Sequence, residues 1–239
     1  MSNIKFSSAS YADTKPHYNI RDGLRGAAAL MVVWYHVFEG FAFAEGMNGV
    51  EGGGLINVFN HGYLAVDFFF MLSGFVISYA YDDRWNKMSL GDFFKRRLVR
   101  LHPMIIMGAI IGLATFLLQG GVKWDGTVTP AMGVVVAFLL TCCFIPAWPG
   151  AIHEIRGNGE MFPLNGPSWS LFFEYIGNIV YALVIRRLST KALAWLVAVL
   201  GIVYIWFAVG NVSGYESVGV GWTIGDSANI YGGFLRMMF

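Results

Sequence analysis

Charge is what this 239-residue sequence has least of: Asp, Glu, Lys and Arg together make up 13% of it, about half their share in a soluble domain. With 16 basic against 15 acidic residues the net charge is only +1, so there is no overall basic excess to bind a polyanion, and nucleic acid is not an expected partner. Cysteine is nearly absent. The two that occur, Cys142 and Cys143, are adjacent inside an apolar run, a spacing that suits neither a metal site nor a disulfide framework. Several enzyme signatures are missing as well. His153-Glu154 lacks the second histidine of a zinc protease motif, and there is no phosphate-binding Walker loop, dinucleotide glycine fingerprint or nucleophile elbow. No metal is expected.

What is present is apolar: 56% hydrophobic and 16% aromatic residues, with a mean hydropathy of +0.56. This composition belongs to a membrane protein. Residues 1–20 are polar and lack the apolar core and small-residue cleavage site of a secretory signal, so the first apolar segment is expected to stay in the mature protein. Apolar runs follow at about 24–44, 64–81, 101–119, 130–148, 168–188 and 192–210, each near the length that crosses roughly 30 Å of hydrocarbon. The expected fold is an all-α, polytopic transmembrane bundle of about six spans plus the start of a seventh. Its organisation would be a polar N-terminal tail, 1–20, and one membrane domain, 21–239.

Orientation is read from Lys and Arg in the short connections, which are retained on the cytoplasmic side. Lys5, Lys15, Arg21 and Arg25 place the N-terminus there, and Arg84, Lys87 and Lys95 to Arg100 place the second connection there too. If the next three segments all cross, the Arg186-Arg187-Lys191 turn falls on the opposite side, against the rule. A re-entrant 130–148 segment, interrupted by Pro146 and Pro149, would return that turn to the basic side. Both arrangements are open at this point.

Ionisable groups within apolar segments mark cavities or partners, because they are costly in hydrocarbon. Arg25 and His36 are 11 residues apart, hence about 16 Å along one helix face. Arg25 is either a site residue or a snorkelling anchor, and His36 either exchanges a proton near neutral pH or bonds a neighbouring helix. Asp67, in Val66-Asp67-Phe68-Phe69-Phe70-Met71-Leu72-Ser73-Gly74-Phe75, either orients the imidazole or reaches interfacial water. Ser73 and Gly74 read as close-packing residues rather than nucleophiles. In Lys95-Arg96-Arg97-Leu98-Val99-Arg100-Leu101-His102-Pro103, Arg96 and Arg100 are i,i+4 and Arg97 and Arg100 i,i+3, so two guanidiniums could converge on one phosphate-bearing ligand or on anionic lipid. Glu174, in Ser168-Trp169-Ser170-Leu171-Phe172-Phe173-Glu174, is a site candidate or half of a structural ion pair.

Taken in order, Arg21-Asp22-Gly23-Leu24-Arg25 leading to His36, Asp67 to Phe75, Arg96 to Pro103 and Trp169 to Glu174 resemble the bacterial integral-membrane O-acyltransferases of acyltransferase family three, with the match covering about residues 18–239. The resemblance implies an inner-membrane enzyme, N-terminus cytoplasmic, that takes an acyl group, commonly acetyl, from acyl-CoA and passes it to a hydroxyl of a cell-surface or exported glycan. It implies catalytic roles for Arg25 and His36, a functional Glu174, and binding of acyl-CoA by Arg96, Arg97 and Arg100. His36 would act as general base, with Asp67 or Glu174 fixing its tautomer, or would carry the acyl group itself. Family members have about ten spanning helices, so the chain, ending at Gly232-Gly233-Phe234-Leu235-Arg236, is expected to be truncated at its C-terminus relative to them. A transporter-like bundle and an inactive fragment of the acyltransferase are the other readings.

Overall fold

The computed structural model describes residues 19–44, 62–214 and 222–239. The chain divides into two compact units, 1–65 and 66–239. The first contains α1 (Asn19–Ala44), where the Ala27-Ala28-Ala29 run favours helix and Asp22 lies in the first turn, next to the positive end of the helix dipole. Gly62 packs on the backbone of this helix: a Cβ there would collide with the Met31 carbonyl oxygen. Beside it the Tyr63 ring meets the edge of Tyr35, with centroids 5.8 Å apart.

The second unit holds α2 (Leu64–Tyr81, its first two residues in the first unit), α3 (Leu90–Leu118), α4 (Ala131–Cys142), α5 (Ser168–Leu183) followed by a 3-10 turn (Ile185–Arg187), α6 (Thr190–Val209) and α7 (Ser227–Met238). Among the described residues there are no strands, only two isolated bridges, Val122 with Val128 and Glu160 with Thr223. The all-α class therefore stands, while the span count comes out lower than six. Among the described residues four helices are long and apolar enough to cross a bilayer: α2, α3, α5 with its 3-10 extension, and α6. α4 has 12 residues, about 18 Å of helix. α3 starts well before its apolar run because Ser89 and Asp92 form a capping box: Ser89 Oγ accepts from the Asp92 amide and Asp92 Oδ2 from the Ser89 amide, both at 3.1 Å.

The packing settles how α5 runs. Its start meets α2 through Phe70 and Trp169, and its end through Tyr181, whose hydroxyl donates to Asp82 at 2.5 Å and accepts from Trp85 Nε1 at 3.2 Å. Asn165 and Leu164, just before α5, press on Gly108 and Gly112 of α3, whereas Tyr181 near its end packs on Phe93. α5 is therefore parallel to α2 and antiparallel to α3. It begins at the end where α3 finishes, because Arg156 donates to Gln119 Oε1 at 3.1 Å and the Trp124 amide to the Arg156 carbonyl at 3.0 Å. Burial pushes the Arg156 guanidinium below its ordinary value, with Glu160 acting the other way. α4 and the loop after it thus make no net crossing, the re-entrant arrangement of the two left open above. The 185–191 turn shares one end with the 82–100 segment, where the Arg186 guanidinium lies 4.0 Å from the Trp85 ring centroid.

Close backbone approach holds α3 to this loop. A Cβ at Gly112 would collide with the Leu164 carbonyl oxygen, whereas one at Gly74 meets nothing within 4 Å. Overpacking of this kind costs about 1–3 kcal/mol. Gly112→Ala is expected to lose about that much in thermal unfolding of the detergent-solubilised protein, and Gly74→Ala to lose none.

Candidate active site

α2 delivers Ser73 to the middle of its length, about 13 Å from either end, and there Ser73 Oγ donates to Glu174 Oε1 of α5 at 2.9 Å. The same carboxylate oxygen receives Arg97 Nη2 from α3 at 2.7 Å. Three helices converge on one carboxylate. The Arg97 side chain is 3% exposed and that of Glu174 21%, so the pair is internal on the arginine side and reaches a less enclosed space on the other. One turn on, Asn178 donates its Nδ2 to the Glu174 carbonyl at 2.8 Å. Arg97 turns inward because it belongs to the buried row Phe93, Arg97, Leu101, Ile105 and Ala109 along α3. Arg96 and Arg100 lie off that row and are exposed. The convergence of Arg97 with Arg100 expected from their spacing is replaced by a division of labour: Arg97 neutralises Glu174, and Arg96 and Arg100 face outward.

Asp67 has a partner that the sequence reading did not identify. Arg236 of α7 donates Nε to Asp67 Oδ1 at 2.6 Å and Nη2 to Oδ2 at 3.2 Å, a two-pronged pair, and its guanidinium lies 5.7 Å from the Trp169 ring centroid. The fork geometry of arginine matches the two carboxylate oxygens and fixes their plane. Its signal in the sequence was a lone charge in the apolar Gly232-Gly233-Phe234-Leu235-Arg236-Met237-Met238-Phe239 segment. Ser73 and Asn178 were also missed as members of the site; Asn178 stands four residues from Glu174, the spacing at which helix neighbours meet.

In the first unit, His36 is exposed on α1, with its ring edge against Tyr35 at 5.4 Å. Its Nδ1 lies 2.8 Å from the Val32 carbonyl oxygen. A carbonyl can only accept, so Nδ1 carries the proton and a neutral ring presents its lone pair at Nε2. Within the first unit the group that sets this tautomer is a carbonyl of the helix itself. Arg25, one residue before the Gly26-Ala27-Ala28-Ala29 run, is exposed on the same helix. Among the described residues no group of three or more His, Cys, Asp or Glu side chains could hold a metal ion.

Residues 20–239 match the acyltransferase domain family. The chain is 30% identical over 190 residues to protein 2 in the picA locus of Rhizobium radiobacter, covering 76% of this chain and 90% of that protein. It is 31% identical over 185 residues to acyltransferase MdmB of Streptomyces mycarofaciens, covering 74% of this chain but 42% of the relative. A shorter match, 31% over 93 residues, covers 38% of this chain and 12% of the peptidoglycan O-acetyltransferase OatA of Listeria monocytogenes. The chain thus spans most of the first relative and less than half of the second. No solved structure matches. With its apolar helices, its ordered motifs and a match that runs over nearly its whole length, the chain belongs to acyltransferase family three.

Proposed function

We propose that the protein is a membrane O-acyltransferase that takes an acyl group, most simply acetyl, from acyl-CoA and esterifies a hydroxyl of a cell-surface or exported carbohydrate. The observation that carries this reading is the inward Arg97–Glu174 pair with Arg96 and Arg100 left facing outward. It separates a structural arginine from guanidiniums available to an anionic ligand. Names of relatives agree with it, since OatA is a peptidoglycan O-acetyltransferase and MdmB an acyltransferase.

Each residue then has one role. Arg96 and Arg100, one turn apart on α3, hold the phosphates of CoA through charge-assisted hydrogen bonds, and Arg25 adds positive charge at the start of α1. His36, with its Nδ1–H donated to the Val32 carbonyl, takes the proton of the acceptor hydroxyl at Nε2 as the oxygen attacks the thioester carbonyl. The carbon–sulfur bond breaks, CoA leaves as the thiol after receiving that proton, and the acyl ester remains on the acceptor. Glu174 keeps Arg97 and Ser73 fixed between three helices.

The positive-inside rule supports an N-terminus in the cytoplasm, and the family reading supports the bacterial inner membrane. The 82–100 segment and the 185–191 turn, which share one end of the second unit, carry Arg84, Lys87, Lys95, Arg96, Arg100, Arg186, Arg187 and Lys191. That end is the cytoplasmic one, where acyl-CoA is made available. Residues 21–239 act as the membrane domain and 1–20 as its cytoplasmic tail.

The test is donor saturation in membranes. Arg96→Ala and Arg100→Ala are expected to raise KM for acetyl-CoA about tenfold each, as the loss of a charge-assisted contact worth about 1.4 kcal/mol would, with unchanged topology and abundance. Unaltered KM in both would assign these arginines to lipid anchoring and sink their donor-binding role.

A further inference from the structure

Beside the Arg97–Glu174 pair, three polar atoms are buried without a hydrogen-bond partner among the described residues: Arg97 Nε, Tyr175 Oη and Asn178 Oδ1. Arg97 and Asn178 are 3% and 1% exposed. Tyr175 and Asn178 are three apart on α5 and so occupy one face of it, and Tyr175 directly follows Glu174 in the chain. Because the Asn178 amide nitrogen is committed to the Glu174 carbonyl, its oxygen is the free end. Buried polar atoms are almost always bonded, and an unpaired one is costly, most of all where lipid surrounds the protein. Nothing among the described residues supplies the partners, so they come from outside that set.

Charge and hydrogen-bond inventory narrow what those partners are. Arg97 is already neutralised by Glu174 at 2.7 Å, so an anion would enter a site with no net positive charge to receive it; the partner is neutral. Nε–H can only donate, Oδ1 can only accept, and the phenol does either. A secondary amide is the complement of that set, its carbonyl accepting from Arg97 and Tyr175 while its N–H donates to Asn178.

We propose that Arg97, Tyr175 and Asn178 form a subsite for a secondary amide of the donor's pantetheine arm. The inference rests on the acyl-CoA reading above: that arm carries secondary amides between the phosphates and the thioester, and Arg96 and Arg100 lie within one turn of Arg97 on α3. It also gives Arg97 a ligand contact that its burial withholds from the phosphates.

The test uses the full chain in lipid nanodiscs, titrated with CoA and with the adenosine bisphosphate that has the phosphate-bearing end but no arm. Asn178→Leu and Tyr175→Phe are each expected to weaken CoA binding several-fold, up to about tenfold for a lost neutral hydrogen bond, and to leave the nucleotide unaffected. Arg96→Gln should weaken both ligands. Unchanged CoA affinity in both α5 variants would mean that ordered water satisfies these atoms, and equal loss of both ligands would mean a general disturbance of the site; either overturns the subsite. Tyr175→Phe, which removes one oxygen and keeps the ring, guards against a folding defect in Asn178→Leu. If the unaltered protein binds neither CoA nor the nucleotide, the acyl-CoA reading itself fails and the subsite falls with it.

Discussion

Glu174→Ala is expected to destabilise the protein by about 3 kcal/mol and to abolish acyl transfer, the largest stability effect of any single substitution considered. The cause is what remains rather than what is removed. Arg97 is 3% exposed and gives Nη2 to Glu174 Oε1 at 2.7 Å, and without that carboxylate its charge stays buried and uncompensated, a situation that costs about 3–5 kcal/mol. Ser73 Oγ loses the same acceptor. Replacing both partners with apolar side chains of similar volume, Arg97→Met with Glu174→Leu, should recover much of the stability and none of the activity, because two desolvated charges have been removed together. Thermal unfolding of single and double variants in detergent measures the coupling. If Glu174→Ala unfolds like the unaltered protein, the pair is not closed in the membrane and the convergence of α2, α3 and α5 on this carboxylate is wrong.

His36→Ala should leave stability nearly untouched and lower kcat by about 10²–10⁴-fold, the usual contribution of a positioned general base. The side chain is exposed and its hydrogen bond is made to its own helix, at Val32, so little packing is lost. KM for the donor should change little, since the imidazole contacts neither phosphate nor nucleotide in the proposed mechanism. A rise in KM at constant kcat would instead give His36 a binding role.

Much of this architecture was legible in the residues. The bounds of α2 coincide with its apolar run because Gly62 precedes it and Asp82-Asp83-Arg84 close it. α3 begins earlier than its apolar run since Ser89 and Asp92 cap a first turn that is amphipathic rather than apolar. Pro146 and Pro149 marked α4 as an incomplete span, but it takes the Arg156 bond to Gln119, the Trp124 amide's bond to the Arg156 carbonyl and the approach of Leu164 to Gly112 to show the chain returning to the end it left. The row from Phe93 through Arg97 to Ala109 was visible as a helical stripe and could have assigned Arg97 to the interior. The ion-pair partners could not be read in this way. Ser73 and Glu174 are 101 residues apart and Asp67 and Arg236 are 169 apart, and local periodicity carries no information across such distances. The role of Val32 as the group that fixes the His36 tautomer was hidden for another reason: any residue at that position offers the same carbonyl.

The measurement that tests the central claim most directly follows label from acetyl-CoA in membranes containing the chain. The expected result is base-labile acetyl ester in the carbohydrate fraction, dependent on the chain and lost in His36→Ala at equal membrane abundance. Label that stays on CoA, or transfer at the same rate in His36→Ala, would contradict it.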